Sequence, residues 1–379
     1  MNKVGKLLFA AVFLASMGGA PAGCNKGQSL SQAMEKICEG APLPDWFSKL
    51  APPDRMAASS RLFEEQRAWF EKNVTNTKAR KLMAKLASIE PYRWSWELSE
   101  TARRANVRPC PFVRTLGPAV PSEVPVVSGR HLDGVDTLPL ISITRDAISS
   151  NGEVIVRLKN GQIDDWDLEG GAMGIQIKRL MSFRHTPQAQ DEPRVQTFSE
   201  DGGPAGLAIN LHLEPNTPQR LLFGTIASLR SAEPPYHHFN LLVASKEGTL
   251  GALPIDLPRP LSFDEEQPDA ARVQLILSLT DKRLVLWSVS GLEGTLTDPV
   301  LSSDRDPANA HWFDLGKVSA KLAEIEERQW PGGEGAPHEL LVQAHAELPY
   351  RVLAELLSEI QKTASGEPRF ITPLAMSTF

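Results

Sequence analysis

The sequence predicts an α+β protein in which a helical N-terminal unit precedes two tandem modules, each a small sheet with helices on one side. Three observations lead to this prediction. Residues from about 28 to 108 carry apolar side chains at helical spacing, as at Leu82, Leu86 and Ile89. After a proline-rich stretch, short β-type runs alternate with amphipathic helical segments. The two later parts of the chain also align with each other, which indicates a repeated unit.

The chain of 379 residues divides at changes of composition. The predicted segments are a signal peptide at 1–23, a helical unit at 24–108, a Pro-rich linker at 109–137, a first module at 138–245, a second linker at 246–271 and a second module at 272–379. Prolines within the helical unit predict that it consists of short helices.

The first residues have the pattern of an export signal. Lys3 and Lys6 precede an apolar stretch that ends near Met17, too short to span a bilayer. Two cleavage sites compete. Ala20-Pro21-Ala22 suits an ordinary signal peptidase, whereas Ala22-Gly23-Cys24 resembles a bacterial lipobox in which Cys24 becomes the lipid-modified first residue. The residue after that cysteine is Asn25. It is not the aspartate that favours inner-membrane retention in the lipoproteins that this segment resembles, so an outer-membrane location is expected.

The number of cysteines favours the lipobox. The chain has three cysteines, so lipid on Cys24 leaves Cys38 and Cys110 as one pair in an oxidising compartment. The other cleavage leaves an odd thiol, which is less usual in an exported protein. We therefore expect lipidation at Cys24 and a disulfide between Cys38 and Cys110, with two unpaired buried thiols as the alternative.

The charge of the chain argues against two classes of partner. The formal net charge is −6, and removal of the signal peptide, with its two lysines and no acids, makes it −8. A nucleic-acid binder or a polybasic membrane-surface protein would show a basic patch instead.

Strand and helix patterns recur in the two modules. In the first, strands are predicted at 140–144, 154–158, 207–213 and 239–244, and helices at 173–183 and 219–229. In the second, the predictions are a hairpin at 273–279 and 283–289, a helix capped by Asp314, a strand at 340–344, a helix started by Pro349 and a last strand near Phe370. A shift of 131 residues places Leu211 on Val342, Pro218 on Pro349 and Phe239 on Phe370.

One run of residues resembles a known family. Glu339-Leu340-Leu341-Val342-Gln343-Ala344-His345-Ala346-Glu347-Leu348-Pro349-Tyr350 is similar to the signature of the periplasmic domain of the ExbD/TolR biopolymer-transport family, in which a strand ending in Ala-Asp precedes a short turn, Pro-Tyr and a helix. The run Leu284-Val285-Leu286-Trp287-Ser288-Val289-Ser290 resembles the hairpin strand of that domain. In the first copy, Leu213-Glu214-Pro215-Asn216-Thr217-Pro218 keeps the acid and the proline, and Gln219 replaces the tyrosine.

The resemblance implies the fold and a periplasmic binding or dimerising role. Its motif positions are the expected partner-binding residues: Glu214, Pro218, His345, Pro349 and Tyr350. His345 stands where the family has aspartate. Members of the family also carry a transmembrane helix with an essential aspartate for proton-driven work. The only apolar N-terminal stretch here has no acid, so that role is not implied.

No catalytic motif is present. The sequence has no Gly-x-Ser-x-Gly elbow, no His-Glu-x-x-His, no Cys-x-x-Cys and no phosphate-binding glycine loop. We therefore predict a protein that is not an enzyme and that needs no metal and no cofactor.

Each of three clusters allows a structural and a functional interpretation. His237-His238 is a solvated loop or part of a metal site, and Asp164-Asp165-Trp166-Asp167 is a charged turn or a cation site. Tyr92, Trp94 and Trp96 pack in the helical core or form a patch for a partner or glycan.

These observations lead to two functional hypotheses. The first is a non-enzymatic envelope lipoprotein, tethered to a membrane by its N-terminal lipid, that binds an envelope protein partner. The alternative is a protein that binds peptidoglycan or another cell-wall polymer. Homo-oligomerisation is compatible with either hypothesis, and no nucleic-acid partner is expected.

Overall fold

A computed structural model describes most of the chain. The described residues are 28–39, 43–50, 52–107, 110–116, 120–129, 132–135, 138–150, 153–171, 174–182, 207–233, 235–255, 274–309, 311–333, 338–363 and 366–377. The predicted export signal and Cys24 lie outside these ranges. Within them, no helix combines the length and the apolar composition that a membrane crossing requires.

The described residues form two compact units. The helical unit comprises those up to Glu123, together with Gly134–Leu140 and Lys246–Gly251. The sheet unit comprises Val124–Asp133, Ile141–Ser245 and Ala252–Phe379.

The helical unit is held by an aromatic core and a disulfide. Its helices are α1 (Leu30–Glu39), α2 (Asp45–Ser48), α3 (Pro52–Asn73), α4 (Thr77–Leu86), α5 (Trp94–Arg104) and α6 (Pro111–Thr115). Phe63 packs against Phe70 and Trp94 with ring centroids 5.6 and 4.8 Å apart. Cys38 and Cys110 form a disulfide with their Cα atoms 4.5 Å apart, which confirms the predicted pair. A link between residues 72 apart in sequence restricts the unfolded chain and stabilises this unit.

The first sheet of the sheet unit contains seven strands. They are β1 (Val126–Val127), β2 (Leu140–Ile143), β3 (Ala147–Ser150), β4 (Glu153–Arg157), β7 (Leu207–Leu213), β8 (Tyr236–Ser245) and β9 (Leu250–Ile255), in the order β1-β8-β7-β2-β3-β4 with β9 also on β8. A separate hairpin of β5 (Leu168–Gly171) and β6 (Gly174–Ile177) leads into the short helix α7 (Lys178–Met181). Helix α8 (Gln219–Arg230) connects β7 to β8, which are parallel.

The second sheet contains six strands. They are β10 (Leu275–Leu279), β11 (Arg283–Ser288), β12 (Leu301–Asp304), β13 (His338–His345), β14 (Phe370–Ile371) and β15 (Leu374–Ser377). Strand order is β12-β11-β10-β13-β14, and β15 also pairs with β13. Helix α9 (Leu315–Gln329) precedes β13, and α10 (Tyr350–Ile360) follows it. The Asp314 side chain accepts from the Lys317 N–H at 3.2 Å, as expected for the helix cap.

The two sheets follow one plan. Apart from β1 and β9, each consists of a three-stranded antiparallel meander, a central strand, and a helix that leads to a parallel outer strand. The first turn of each meander is also built alike. The Thr144 N–H donates to Ala147 at 3.0 Å, and the Thr280 N–H donates to Arg283 at 2.9 Å. Buried residues of both sheets belong to one hydrophobic core, so the halves share an interior.

Several local predictions need correction. The helix predicted at 173–183 is instead strand β6 followed by α7, and the preceding strand β5, which contains Gly170 and Gly171, was not predicted. His237 and His238 lie in strand β8 rather than in a loop. These segments adopt strands because pairing partners are available, which outweighs their weak local propensity.

The linker boundaries also change. The predicted linker 109–137 contains α6 and β1, and the predicted linker 246–271 contains β9. The helical unit contains the long helix α3 rather than short helices alone, because its prolines stand at the start of that helix, where they are tolerated.

The alignment of the last strands is wrong by two residues. Phe239 pairs with Ile209, whereas Phe370 pairs with His338, which corresponds to Leu207. The connection after α10 is longer and contains a bridge between Lys362 and Pro368.

Candidate functional site at the proline junction

The turns before α8 and α10 meet inside the sheet unit. Pro218 and Pro349 precede these helices in extended conformations and face each other in an antiparallel bridge. We call residues 214–220 and 345–351 together the proline junction. The structure thus brings together two of the predicted site residues that lie 131 positions apart.

Backbone hydrogen bonds cross the junction in reciprocal pairs. Four are found among the described residues: Gln219 N–H to Leu348 C=O at 3.0 Å, Tyr350 N–H to Thr217 C=O at 2.8 Å, Arg220 N–H to Ala346 C=O at 2.8 Å, and Arg351 N–H to Pro215 C=O at 2.9 Å. Adding 131 to the donor and subtracting 131 from the acceptor converts each bond into its partner. The junction therefore has local two-fold symmetry.

These bonds provide acceptors for the first N–H groups of each helix. The first N–H groups of an α-helix have no acceptor within the helix. In α8 and α10, the first two N–H groups donate to carbonyls of the other half. Each half therefore completes the helix start of the other, which ties the two halves together through the backbone.

Two side-chain contacts flank the backbone pairing, and we call their four residues, Asn216, Arg220, Glu347 and Arg351, the polar ring. The Arg220 guanidinium forms an ion pair with Glu347, and the Arg351 guanidinium donates to the Asn216 side chain. These contacts obey the same offset, because Asn216 corresponds to Glu347. The sequence patterns alone did not predict that these four residues contact one another. Repetition of arginine directly after Gln219 and Tyr350 was a signal that could have found them.

The predicted residues Glu214 and His345 lie at the ends of the two central strands. The Glu214 carboxylate accepts from the Arg145 N–H at 2.8 Å. The Nδ1 atom of His345 accepts from the Glu347 N–H at 3.3 Å. Both side chains are partly exposed and can be reached from solvent, as can Pro218 and Pro349.

Tyr350 has a different environment. Its side chain is fully buried, and its hydroxyl donates to the Leu242 carbonyl at 3.2 Å. Burial raises the pKa of this hydroxyl, so it stays protonated. Tyr350 therefore holds the junction from inside the core.

Gln219, the counterpart of Tyr350, is also fully buried. Neither its Oε1 nor its Nε2 atom has a hydrogen-bond partner among the described residues. A buried carboxamide without partners destabilises the folded state. The two halves thus place a satisfied phenol and an unsatisfied amide at equivalent positions.

The segment that contains strand β1 also holds the halves together. We call residues 124–129 together with 132 and 133 the strap. Its Ser128 N–H donates to the buried Glu355 carboxylate of α10 at 2.9 Å, and Asp133 pairs with Lys362 at 2.6 Å. At Gly129, an added Cβ would lie 2.6 Å from the Ser358 carbonyl oxygen. Since β1 within the strap pairs with β8, the strap contacts both halves.

The acidic cluster is satisfied by basic side chains. Asp164 pairs with Lys159 at 3.0 Å, and that hydrogen bond lowers the pKa of the carboxyl group. Asp167 is buried and pairs with Arg179 at 3.0 Å. Within the part of the chain that the structure describes, no three His, Cys, Asp or Glu residues are grouped to hold a metal ion.

Of the aromatic cluster in the helical unit, Trp94 belongs to the hydrophobic core. Tyr92 and Trp94 are 5% exposed, and Trp96 is partly buried.

Comparison with known proteins adds no relative. The chain matches no family model, no curated protein and no solved structure.

Proposed function

We propose that the chain is a non-enzymatic cell-envelope lipoprotein whose sheet unit is a tandem pair of ExbD/TolR-like modules and binds a protein partner. The pairing of Pro218 with its counterpart Pro349, each directly before a helix, carries the proposal. Any antiparallel bridge exchanges hydrogen bonds reciprocally, so the informative feature is that Pro218 pairs with the residue 131 positions later that also starts a helix, which a repeat accounts for. The common strand order of the two sheets supports the same interpretation.

A doubled chain can present two different surfaces around one axis. Glu214 corresponds to His345, and Asn216 corresponds to Glu347, so the two sides of the junction differ in charge. Two identical subunits could not differ in this way. The proposed partner is therefore asymmetric and contacts the polar ring on one side more closely than on the other.

Photo-crosslinking in intact cells tests the partner hypothesis. A crosslinking amino acid replaces Asn216 or Glu347 in the full chain, and a control carries it at Glu324, an exposed position of α9. We expect one envelope protein to be captured from the junction positions and not from Glu324. Equal capture at all three positions, or none, would contradict the proposal.

The lipid anchor has its own test. Metabolic labelling with palmitate should mark the wild-type chain and leave Cys24→Ser unlabelled. The proposed outer-membrane location predicts that the labelled chain fractionates with that membrane. Label retained by Cys24→Ser would show that the proposed attachment site is wrong.

One observation favours the alternative, a cell-wall polymer. Trp166 is 60% exposed, and the Arg179 guanidinium lies 4.6 Å from its ring centroid. Lys178, which donates to the Trp166 carbonyl at 3.1 Å, also lines a depression of about 320 Å³. Acidic and hydroxyl groups line it as well, at Glu169, Ser182, Ser231 and Glu233. Lys178 thus links the exposed ring, which suits the apolar face of a sugar, to a polar depression, which suits its hydroxyls.

Sedimentation with purified sacculi separates the two functions. The polymer hypothesis predicts recovery of the wild-type chain in the pellet and at least tenfold less of Trp166→Ala. Under the partner hypothesis, neither protein is recovered.

A further inference from the structure

The antiparallel meanders of the two sheets end in corresponding edge strands, β4 and β12. Ala147 and Arg283 accept the equivalent turn bonds of the two meanders. Arg157 of β4 pairs with Ala147, and Asp304 of β12 pairs with Arg283, so these two edge positions correspond. An edge strand presents backbone N–H and C=O groups to which another strand can add.

The pairing of β12 with β11 determines which of its backbone groups face outwards. The Arg305 N–H donates to the Lys282 carbonyl at 2.7 Å, in register with the β11–β12 ladder. Hydrogen-bonded and non-hydrogen-bonded pairs alternate in an antiparallel ladder, so Ser303 also bonds to β11. Ser302 and Asp304 therefore direct their backbone N–H and C=O groups away from β11.

This edge of β12 is open. Ser302 and Asp304 are both exposed. Within the described ranges, no strand pairs with the outward side of β12. The β11–β12 register has no bulge, and β12 contains neither proline nor lysine. These are common means of protecting an edge strand, so β12 can accept a further strand.

The corresponding edge of the first sheet is protected. The register of β4 with β3 shifts between Ile148 and Ser149, as at a β-bulge, and leaves Ile155 without a partner on β3. The Arg179 guanidinium donates to the Ile155 carbonyl at 3.2 Å, so a side chain occupies this backbone acceptor. Of the two corresponding edges, only β12 thus keeps a regular and uncapped ladder.

The open edge is complementary to itself. Opposite residues of an antiparallel pair lie on the same face of the sheet. If Ser303 lies opposite Ser303 of a second copy, Ser302 of each copy lies opposite Asp304 of the other. The outward-facing groups of both residues then form two hydrogen-bonded pairs, and each Ser302 hydroxyl has a carboxylate as acceptor. A register centred on Ser302 would form only one such pair.

We propose that β12 pairs antiparallel with β12 of a second copy of this chain, centred on Ser303, so that the second sheets of two molecules form one continuous sheet. Arg283, which lies opposite Asp304 within each copy, reduces the repulsion between the two carboxylates. This inference goes beyond the proposed function and depends neither on the lipid anchor nor on the proline junction.

The contact is small. A strand of four residues is about 14 Å long. Its edge contacts less surface than the about 800 Å² per partner that a stable dimer needs. We therefore expect a weak dimer that is in equilibrium with the monomer.

Sedimentation velocity of the full mature chain tests the inference at about 10 to 300 μM, a range suited to weak association. The sedimentation coefficient should rise with concentration. Asp304→Pro should weaken the dimer at least tenfold, because proline removes an outward-facing N–H and leaves the pairing with β11 intact. Arg157→Pro changes the corresponding position of β4 and is the matched control, which should leave association unchanged.

Exchange of two side chains tests the register. Ser302→Asp places carboxylates opposite each other at two symmetric positions and should weaken the dimer about tenfold. Adding Asp304→Ser to this variant exchanges the two side chains and should restore the association. Both positions are exposed, so these variants should keep the fold, as judged by circular dichroism. They decide the question if Asp304→Pro does not fold.

Several results would overturn the inference. One is the absence of association up to about 300 μM. Another is a dimer that Asp304→Pro leaves intact, or that Arg157→Pro weakens equally. Failure of the exchanged pair to restore association would overturn the register and, with it, the argument for a second copy.

Discussion

The two halves of the sheet unit share a strand order and a junction, but they differ in what each half buries. The first half encloses polar groups, among them Asn210, His212 and the unsatisfied amide of Gln219. The second half encloses Tyr350 with its hydroxyl paired, and it leaves Val289 and Ile371 exposed. The backbone pairing is thus alike in the two halves, whereas the side chains differ. Stability should therefore depend more on the second half at the junction.

The largest expected difference concerns the paired positions Tyr350 and Gln219. Tyr350→Ala leaves a large cavity and should lower the free energy of unfolding by about 3–5 kcal/mol. Gln219→Leu removes a buried amide without partners and should be neutral or stabilising. Urea unfolding of both variants provides the comparison. Equal destabilisation by the two substitutions would show that the halves are not different in this respect.

The strap should be sensitive to one added methyl group. Gly129→Ala brings a Cβ against the Ser358 carbonyl and should cost about 1–3 kcal/mol through overpacking. Gly316→Ala in the first turn of α9 is the control, because its Cβ would meet only the Asp314 side chain at 3.4 Å. Thermal unfolding that ranks the control as the less stable protein would contradict the role of the strap.

A smaller effect should follow from pH. Burial lowers the pKa of His338, which stacks on Trp330 with ring centroids 3.9 Å apart, and Glu326 opposes the shift. As the pH falls, His338 is therefore protonated in the unfolded chain at a higher pH than in the folded protein. The contribution of His338 to the free energy of unfolding is fully present above pH 6.5, the ordinary histidine pKa. It is lost as the pH falls from there towards the folded-state pKa.

The His338→Phe variant isolates this contribution. Below pH 6.5, the unfolding free energy of the wild type should fall relative to that of the variant. A difference that is constant from pH 7.5 to 5 would show that His338 does not titrate differently in the two states.

The smallest effects are expected in the polar ring. Arg220→Ala and Arg351→Ala each remove one partly exposed contact and should cost less than about 1 kcal/mol. Because the backbone pairing remains, the double variant should stay folded, as judged by circular dichroism. Loss of the fold would mean that side chains, rather than backbone bonds, hold the junction.

The sequence predicted the regular parts of the fold because their patterns are local. Strand β7 and the starts of α8 and α9 match the predicted limits, since alternation and helix caps are signals within a few residues. Strands β3 and β5 were missed, because Ser149, Gly170 and their neighbours have little strand propensity and depend on pairing.

The candidate site was predictable only in part. Pro218 and Pro349 were identified through the repeat, but their contact was not, since backbone bonds between distant turns leave no trace in residue type. Burial of Gln219 was also hidden, because a polar residue at a helix start ordinarily faces water.

Hydrogen exchange at the junction tests the central claim most directly. The N–H groups of Gln219, Arg220, Tyr350 and Arg351 stand at helix starts, where exchange is normally fast. Heteronuclear NMR of the mature chain should find all four as slow as the middle of α10, while the N–H of Gly316 at the start of α9 exchanges rapidly. Rapid exchange of the four groups, with α10 itself protected, would contradict the reciprocal pairing of the two halves.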